Sequence, residues 1–142
     1  MHFQRLNLVN LDLLREFLEL LGQGKDSFRY FEKRPLEIVN NHLYSWLLID
    51  EDVPVAYGHL EEEKGVIWLG IAVAQKLTGH GYGKIMLEKL IQDAKDSGLS
   101  HVCLTVDKSN LRAISLYERY DFKRLEEFTS FYKYKLNLLE KK

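Results

Sequence analysis

The chain has 142 residues, 46% of them hydrophobic, with two prolines and one cysteine. That is enough for one ordinary core and too little for two, so a single domain over residues 1–142 is expected and a disulfide framework is excluded. Lys and Arg total 20 against 21 for Asp and Glu, so no global positive excess draws the protein to nucleic acid or to an anionic membrane. No apolar run approaches the ~20 residues that span a bilayer, and "MHFQRLNLVN" is too polar for a signal peptide. A cytoplasmic protein is expected, and Cys103, inside the apolar run "HVCLTV", reads as a buried structural thiol.

In chain order, "FQRLNLV" predicts a first strand. Asn10 then caps an amphipathic run, "LDLLREFLELLG", whose Leu13, Leu14, Phe17, Leu20 and Leu21 share a face and which Gly22 ends. After the irregular stretch "QGKDSFRYFEKR", Pro35 opens a short helix to about Asn41, because its missing N–H would have had no partner there. "LYSWLLID", "VPVAYGHLE" and "VIWLGIAV" are β-branched and aromatic, separated by "ED" and "EEKG", and predict an antiparallel meander.

From Gly81 to Ser97 the spacing of Ile85, Leu87, Leu90, Ile91 and Ala94 predicts a helix closed by Gly98. "HVCLTVD" reads as a strand buried on both faces. A further helix from about Asn110 to Tyr120 turns Ala113, Ile114, Leu116 and Tyr117 inward, and "DFKRLEEF" and "SFYKYKLN" close the sheet as a hairpin. The order β-α-α-β-β-β-α-β-α-β-β predicts an α/β (α+β) protein: a mixed, mostly antiparallel sheet of about seven strands with helices on both faces.

The stretch "TGHGYGK", Thr78 to Lys84, lies after a predicted strand and before a predicted helix. Free backbone N–H groups and the positive end of a helix dipole converge there, and glycines at 79, 81 and 83 permit close approach of an anion. Two phosphate motifs do not fit. A P-loop requires a Ser or Thr hydroxyl after Gly-Lys, where Ile85 stands, and a dinucleotide fingerprint requires a third glycine where Lys84 stands. What remains is the Q/R-x-x-G-x-G/A loop.

On this loop the chain resembles the GNAT family of acyl-CoA-dependent N-acyltransferases. "IAVAQKLTGHGYGKIMLEKLI" is similar to the family's strand, loop and helix, and "VCLTVDKSNLRAISLYERYDF" to its next strand, its Asn-x-x-Ala-x-x-x-Tyr helix and its closing turn. There are departures: Thr78 stands for the usual Gln or Arg, Gln75 for a common proline, and Asp121 for the glycine before Phe122. The left-handed conformation such a turn needs is one that Asp tolerates.

The resemblance implies a GNAT fold and acetyl-CoA as co-substrate, with no metal. It implies that the backbone of Thr78, Gly79, Gly81, Tyr82, Gly83 and Lys84 holds the diphosphate, and that the strand edge at Ile71 and Val73 takes the pantetheine. It implies too that Asn110 binds the pantetheine and that Tyr117 reaches the sulfur as general acid. Gly70 suggests a bulge that would splay its strand from "HVCLTV" and turn the Ile71 N–H toward the acyl oxygen; a glycine packed under a ring such as that of Trp68 is the alternative. His59 and Glu61, two apart on one strand, are candidates for the base that deprotonates an amine. Glu62 and Glu63 read as solvated turn residues, His42 as an exposed helix-end residue and His80 as a loop filler, and the histidines show no metal spacing.

In "GKDSFRYFEKRP", Arg29, Tyr30 and Phe31, with Lys25, Phe28 and Arg34, suit an anionic or ring-bearing acceptor such as an amino sugar or its nucleotide-linked form. They equally suit a lid that seals the core. The expected activity is acetyl transfer from acetyl-CoA to a small-molecule primary amine by direct attack in a ternary complex. A protein N-terminal or lysine acetyltransferase, a silent acyl-CoA-binding module and a simple nucleotide binder are the alternatives. Pairing of sheet edges or of "FTSFYKYKLN" can make a homodimer.

Overall fold

The computed structural model describes residues 1–22 and 28–139. Its strands are β1 (His2–Arg5), β2 (Tyr44–Asp50), β3 (Val53–Glu63), β4 (Val66–Val73), β5 (His101–Asp107), β6 (Lys123–Glu127) and β7 (Phe131–Asn137). The α-helices are α1 (Leu11–Leu20), α2 (Tyr82–Asp96) and α3 (Leu111–Arg119). All seven strands form one sheet in the order β1-β2-β3-β4-β5-β7-β6. Every pairing is antiparallel except β4 with β5.

The expected element order holds, with differences at the ends. β1 stops at Arg5, because Asn7 and Asn10 then form a side-chain-to-backbone turn: Asn7 Oδ1 accepts from the Val9 N–H at 2.8 Å and Asn10 Oδ1 accepts from the Asn7 N–H at 2.9 Å. Asn10 therefore shapes the entry to α1 without capping it through its side chain. The helix that follows Pro35 is a 3₁₀ helix, Leu36–Asn41. Of the predicted α1 face, Leu14, Phe17 and Leu21 are buried, whereas Leu20 is exposed and Leu11 takes the remaining inner position.

Strand alternation splits the core into two layers. On one face α1 and the 3₁₀ helix Leu36–Asn41 pack through Leu14, Phe17 and Val39 on Leu47, Ile49, Tyr57 and Ala72. On the other, α2 and α3 bring Met86, Leu87, Leu90 and Tyr117 against Leu48, Leu60, Leu69, Leu104 and Tyr134. Neighbouring residues of one strand, Leu47 and Leu48, thus serve opposite cores, as the period of two requires. Cys103 is buried, as expected, and burial raises its pKa, which keeps the thiol protonated. No helix among the described residues is long and apolar enough to cross a membrane.

The feature that positions the site is a gap in the sheet. β4 and β5 are joined only at Trp68↔Cys103, and beyond that bridge their C-terminal halves part. The gap does not come from a bulge at Gly70, because the β3–β4 register runs unbroken from Glu63↔Val66 to Ala56↔Val73. Nor does Trp68 cover Gly70. The ring over this glycine is His59: a Cβ on Gly70 would lie 2.6 Å from His59 Cε1 and 2.7 Å from Nε2. The alternative reading of Gly70 is the correct one, with a different ring.

Candidate active site

The gap opens into a cleft of about 1130 Å³ lined from three sides: by the C-terminal half of β4, by the Thr78–Lys84 loop with the start of α3, and by Tyr30, His59 and Glu61. The polarity of its β4 edge follows from the ladder. Ala74 donates its N–H to the Val55 carbonyl at 3.1 Å, so in the alternating antiparallel pattern Ala72 and Gly70 also face β3. Ile71 and Val73 then turn their N–H groups the other way, into the gap. The same parity is seen at Ile67, whose N–H reaches His101 Nε2 on the β5 side at 3.4 Å.

At the loop, Gly79 and Gly81 have φ of 88° and 82°, the left-handed region that glycine enters without steric cost. Gly81 is the residue preceding α2, so the loop delivers the chain into the helix with its first N–H groups unpaired. Apart from Gly81 and its two chain neighbours, no heavy atom of the described residues lies within 4 Å of where a Cβ on Gly81 would stand. The space in front of these amides is open, as an anion site requires. Thr78 turns its hydroxyl back to the Gln75 carbonyl at 3.1 Å, and Tyr82 sends its own to Asp50 at 2.6 Å. Neither hydroxyl is directed at a ligand; what these residues offer the cleft is main chain.

Sequence reasoning missed Arg112. Its Nη1 lies 3.2 Å from the Cβ position of Gly79, and the side chain lines the cleft, adding a cation beside Lys84. The signal was present in "NLRA": the second residue of α3, on the turn facing the loop.

Asn110 stands at the N-terminus of α3, where its Oδ1 accepts the Ala113 N–H at 3.3 Å, so the plain capping role is real. It also lines the cleft, and its Nδ2 has no partner among the described residues. Two turns on, Tyr117 is 8% exposed, and burial raises its pKa to about 12. Its hydroxyl makes no hydrogen bond to the described residues, yet no buried side-chain oxygen or nitrogen among those residues lacks a partner. The hydroxyl is therefore reached from the cleft, which Tyr117 lines.

The opposite wall holds a polar cluster. Tyr30 Oη lies 2.6 Å from His42 Nε2 and donates to Glu61 Oε1 at 2.9 Å; His42 Nδ1 lies 2.6 Å from Ser45 Oγ; Tyr57 Oη lies 2.7 Å from His59 Nδ1. His42 is buried here, 8% exposed, which corrects its reading as an exposed helix-end residue. The histidines also converge, contrary to their scattered spacing: His42, His59 and Glu61 bring donor atoms within 4.8 Å of one another. Two imidazoles and a carboxylate are a zinc-type donor set, but Tyr30 Oη already occupies the point between His42 and Glu61.

Burial, then the charge of Arg34, lowers the His42 pKa to about 4; burial, then His42 and Arg34, holds His59 well below the ordinary range. Both imidazoles are neutral at pH 7. The unfolded chain, with histidines near ~6.5, binds more protons than the fold between about pH 4 and 6.5, so stability falls as pH drops through that window. His42 alone accounts for a loss on the order of 3 kcal/mol. Urea unfolding at pH 7 and pH 4.5 is expected to show this loss, and His42→Gln should flatten the dependence.

Of the residues predicted for the acceptor, Arg29 and Tyr30 line the cleft. Phe31 does not: it packs edge-on against Tyr57 and Tyr30 in the α1-side core, as the lid alternative anticipated. Arg29 pairs with Asp107 at 3.8 Å, and Arg34 stacks on Tyr30 with its Cζ 4.2 Å from the ring centroid. Lys25 lies outside the described residues.

Comparison with known proteins bears directly on this arrangement. Residues 10–122 match the Acetyltransferase (GNAT) family. The chain belongs to the GNAT family. No curated protein matches its sequence. Among solved structures, it is similar to a GNAT-family acetyltransferase from Streptococcus pneumoniae, with a TM-score of 0.80 and 19% identity over 96% of this chain and 98% of that one. It is similar to the ribosomal-protein-S18-alanine N-acetyltransferase from Escherichia coli, with a TM-score of 0.76 and 18% identity over 99% and 96%. A third is the PaiA N-acetyltransferase from Thermoplasma acidophilum in complex with coenzyme A, with a TM-score of 0.73 and 17% identity over 96% and 98%. The seven-stranded GNAT sheet, with its single parallel junction at the cleft, is thus the fold expected from the sequence.

Proposed function

We propose that this GNAT protein transfers an acetyl group from acetyl-CoA to a primary amine by direct attack in a ternary complex. The observation that carries the reading is that one cleft unites an amide-lined helix start, a free strand edge and a partnerless tyrosine hydroxyl. The diphosphate sits on the main-chain amides of Gly79, Gly81, Tyr82, Gly83 and Lys84, aided by Arg112. The coenzyme A complex of the PaiA neighbour supports a coenzyme site on this fold. The pantetheine follows the edge of β4 as an added strand, with Val73 and Asn110 as partners.

The thioester carbonyl then accepts the Ile71 N–H, which stabilises the negative charge that develops on its oxygen. The amine nitrogen attacks the acyl carbon, the C–S bond breaks, and Tyr117 supplies a hydrogen bond to the departing sulfur. One amine proton ends on the thiol and one leaves through His59 and Glu61 on the opposite wall. The acceptor carries its amine on a small molecule with an anionic group or ring, such as an amino sugar, because Arg29, Arg34 and Tyr30 line the entrance on that wall.

Thiol release from acetyl-CoA, measured with amino sugars, nucleotide-linked amino sugars, polyamines, amino acids and peptides, tests the reading. Release with an amine of the first two classes is the expected result. Preference for a peptide would move the acceptor to a protein terminus, and no release with any amine would favour a silent binding module.

A further inference from the structure

We propose that Tyr30 is a positioning residue for Glu61: anchored from behind by His42 and Ser45, its hydroxyl holds Oε1 of the carboxylate and leaves Oε2 to take a proton from the acceptor's ammonium. The purpose rests on the acyl-transfer reading, whereas the anchoring stands on hydrogen-bond geometry.

Glu61 is placed for this by the strand register. It sits on β3 opposite Trp68, the residue at which β4 is joined to β5 before the two strands part, and it lines the cleft. A glutamate side chain at such a place has several rotamers open to it, and only contacts fix one. Here the contact is Tyr30, whose Oη donates to Oε1 at 2.9 Å. Oε2 makes no hydrogen bond to the described residues; His42 Nε2 lies 3.8 Å from it, beyond hydrogen-bond reach.

The direction of the protons follows from what each group can donate. A carboxylate only accepts, so the one Tyr30 proton points at Glu61. His42 Nε2 lies 2.6 Å from the same Oη. A bare nitrogen there would set lone pair against lone pair, so Nε2 carries a proton and donates. A neutral imidazole has a single N–H, and His42 Nδ1 therefore accepts the hydroxyl proton of Ser45 at 2.6 Å. The hydrogen bonds run one way, from Ser45 through His42 and Tyr30 to Glu61.

Each member of this row is itself held. Ser45 and His42 are 2% and 8% exposed, and Ser45 belongs to β2, where it pairs with His59 of β3. The Tyr30 ring has Arg34 Cζ 4.2 Å from its centroid, the His59 ring at 4.4 Å and the Phe31 ring edge-on at 4.9 Å. Burial, then the hydrogen bond to Glu61, raises the Tyr30 pKa, so the hydroxyl keeps its proton and stays a donor. When an acceptor binds, its ammonium gives one proton to Oε2. One N–H bond breaks, one O–H bond forms, and the nitrogen keeps the lone pair that attacks the thioester. The neutral carboxyl returns the proton to solvent in the cleft.

Long-range ¹⁵N–¹H NMR of histidine-labelled protein at pH 7 tests the anchoring without any acceptor, with His42 assigned by the signals missing from His42→Gln. His42 is expected as the Nε2–H tautomer, and His42 found as Nδ1–H overturns the proposal. Glu61→Ala removes the group that claims the Tyr30 proton, which can then turn to His42 Nε2. The Nε2–H preference is expected to weaken in that variant, and an unchanged His42 signal contradicts the connection. For the reaction, Tyr30→Phe keeps the ring and removes only the hydroxyl. It is expected to lower kcat for thiol release roughly tenfold or more, the scale of one hydrogen bond to a charged group, with the KM for acetyl-CoA within about twofold. Adding Tyr30→Phe to Glu61→Ala should cost little beyond Glu61→Ala alone, because both act through one carboxylate; losses that multiply in full would show Tyr30 acting apart from Glu61 and overturn the proposal. If no amine releases thiol, the acetyl-transfer reading fails, while the His42 tautomers still decide whether Tyr30 holds the carboxylate.

Discussion

Tyr117→Phe is expected to lower kcat for thiol release by roughly 10²-fold or more, the scale of one lost hydrogen-bond donor to charge developing in the transition state, while the affinity for coenzyme A stays within about twofold. The hydroxyl makes no hydrogen bond to the described residues and opens on the cleft, so its removal disturbs little of the fold. With its pKa raised to about 12, against ~8.5 for an ordinary thiol, full ionisation of Tyr117 to protonate the thiolate is uphill by about 5 kcal/mol. The tyrosine therefore works by donating a hydrogen bond as charge develops on sulfur. The raised pKa keeps the proton in place up to about pH 11, so Tyr117 should impose no alkaline limb on kcat between pH 7 and 10. Full turnover in the variant would remove Tyr117 from the mechanism.

Gly81→Val is expected to raise the KM for acetyl-CoA at least tenfold. At φ 82° a β-branched residue is strained by ~1–3 kcal/mol, and relief of that strain turns away the amides that α2 presents. Gly81→Asn separates conformation from bulk. Asn enters the left-handed region, and the space around a Cβ here is open, so its KM should stay within about threefold of the parent. Equal damage from both substitutions would mean that open space, rather than backbone direction, is what Gly81 provides.

Much of this site was legible because local chemistry fixes it. The glycines at 79, 81 and 83, in a strand–loop–helix context, permitted positive φ; Gly79 and Gly81 have it, whereas Gly83 lies inside α2. The spacing of Asn110 and Tyr117 put them on one side of a helix, and both line the cleft. Asp121 takes φ 70°, as its tolerance of that region allowed. What could not be read depends on contacts distant in sequence. His42 looked exposed because nothing beside it predicts Tyr30, twelve residues earlier, or a 3₁₀ helix that tucks it against β2. Gly70 was recognised as a close approach, but identifying the ring required the β3–β4 register, which pairs it with His59. Arg112 needed the placement of α3 beside the loop.

The central claim is that main-chain amides at the start of α2 hold the diphosphate and so aim the thioester at the gap between β4 and β5. A crystal structure of the protein with coenzyme A tests it most directly. The account predicts diphosphate oxygens at ~3 Å from amide nitrogens of the Gly79–Lys84 segment, with the sulfur beside Ile71 and Tyr117. A diphosphate bound elsewhere, or pantetheine lying outside the β4–β5 gap, would contradict it.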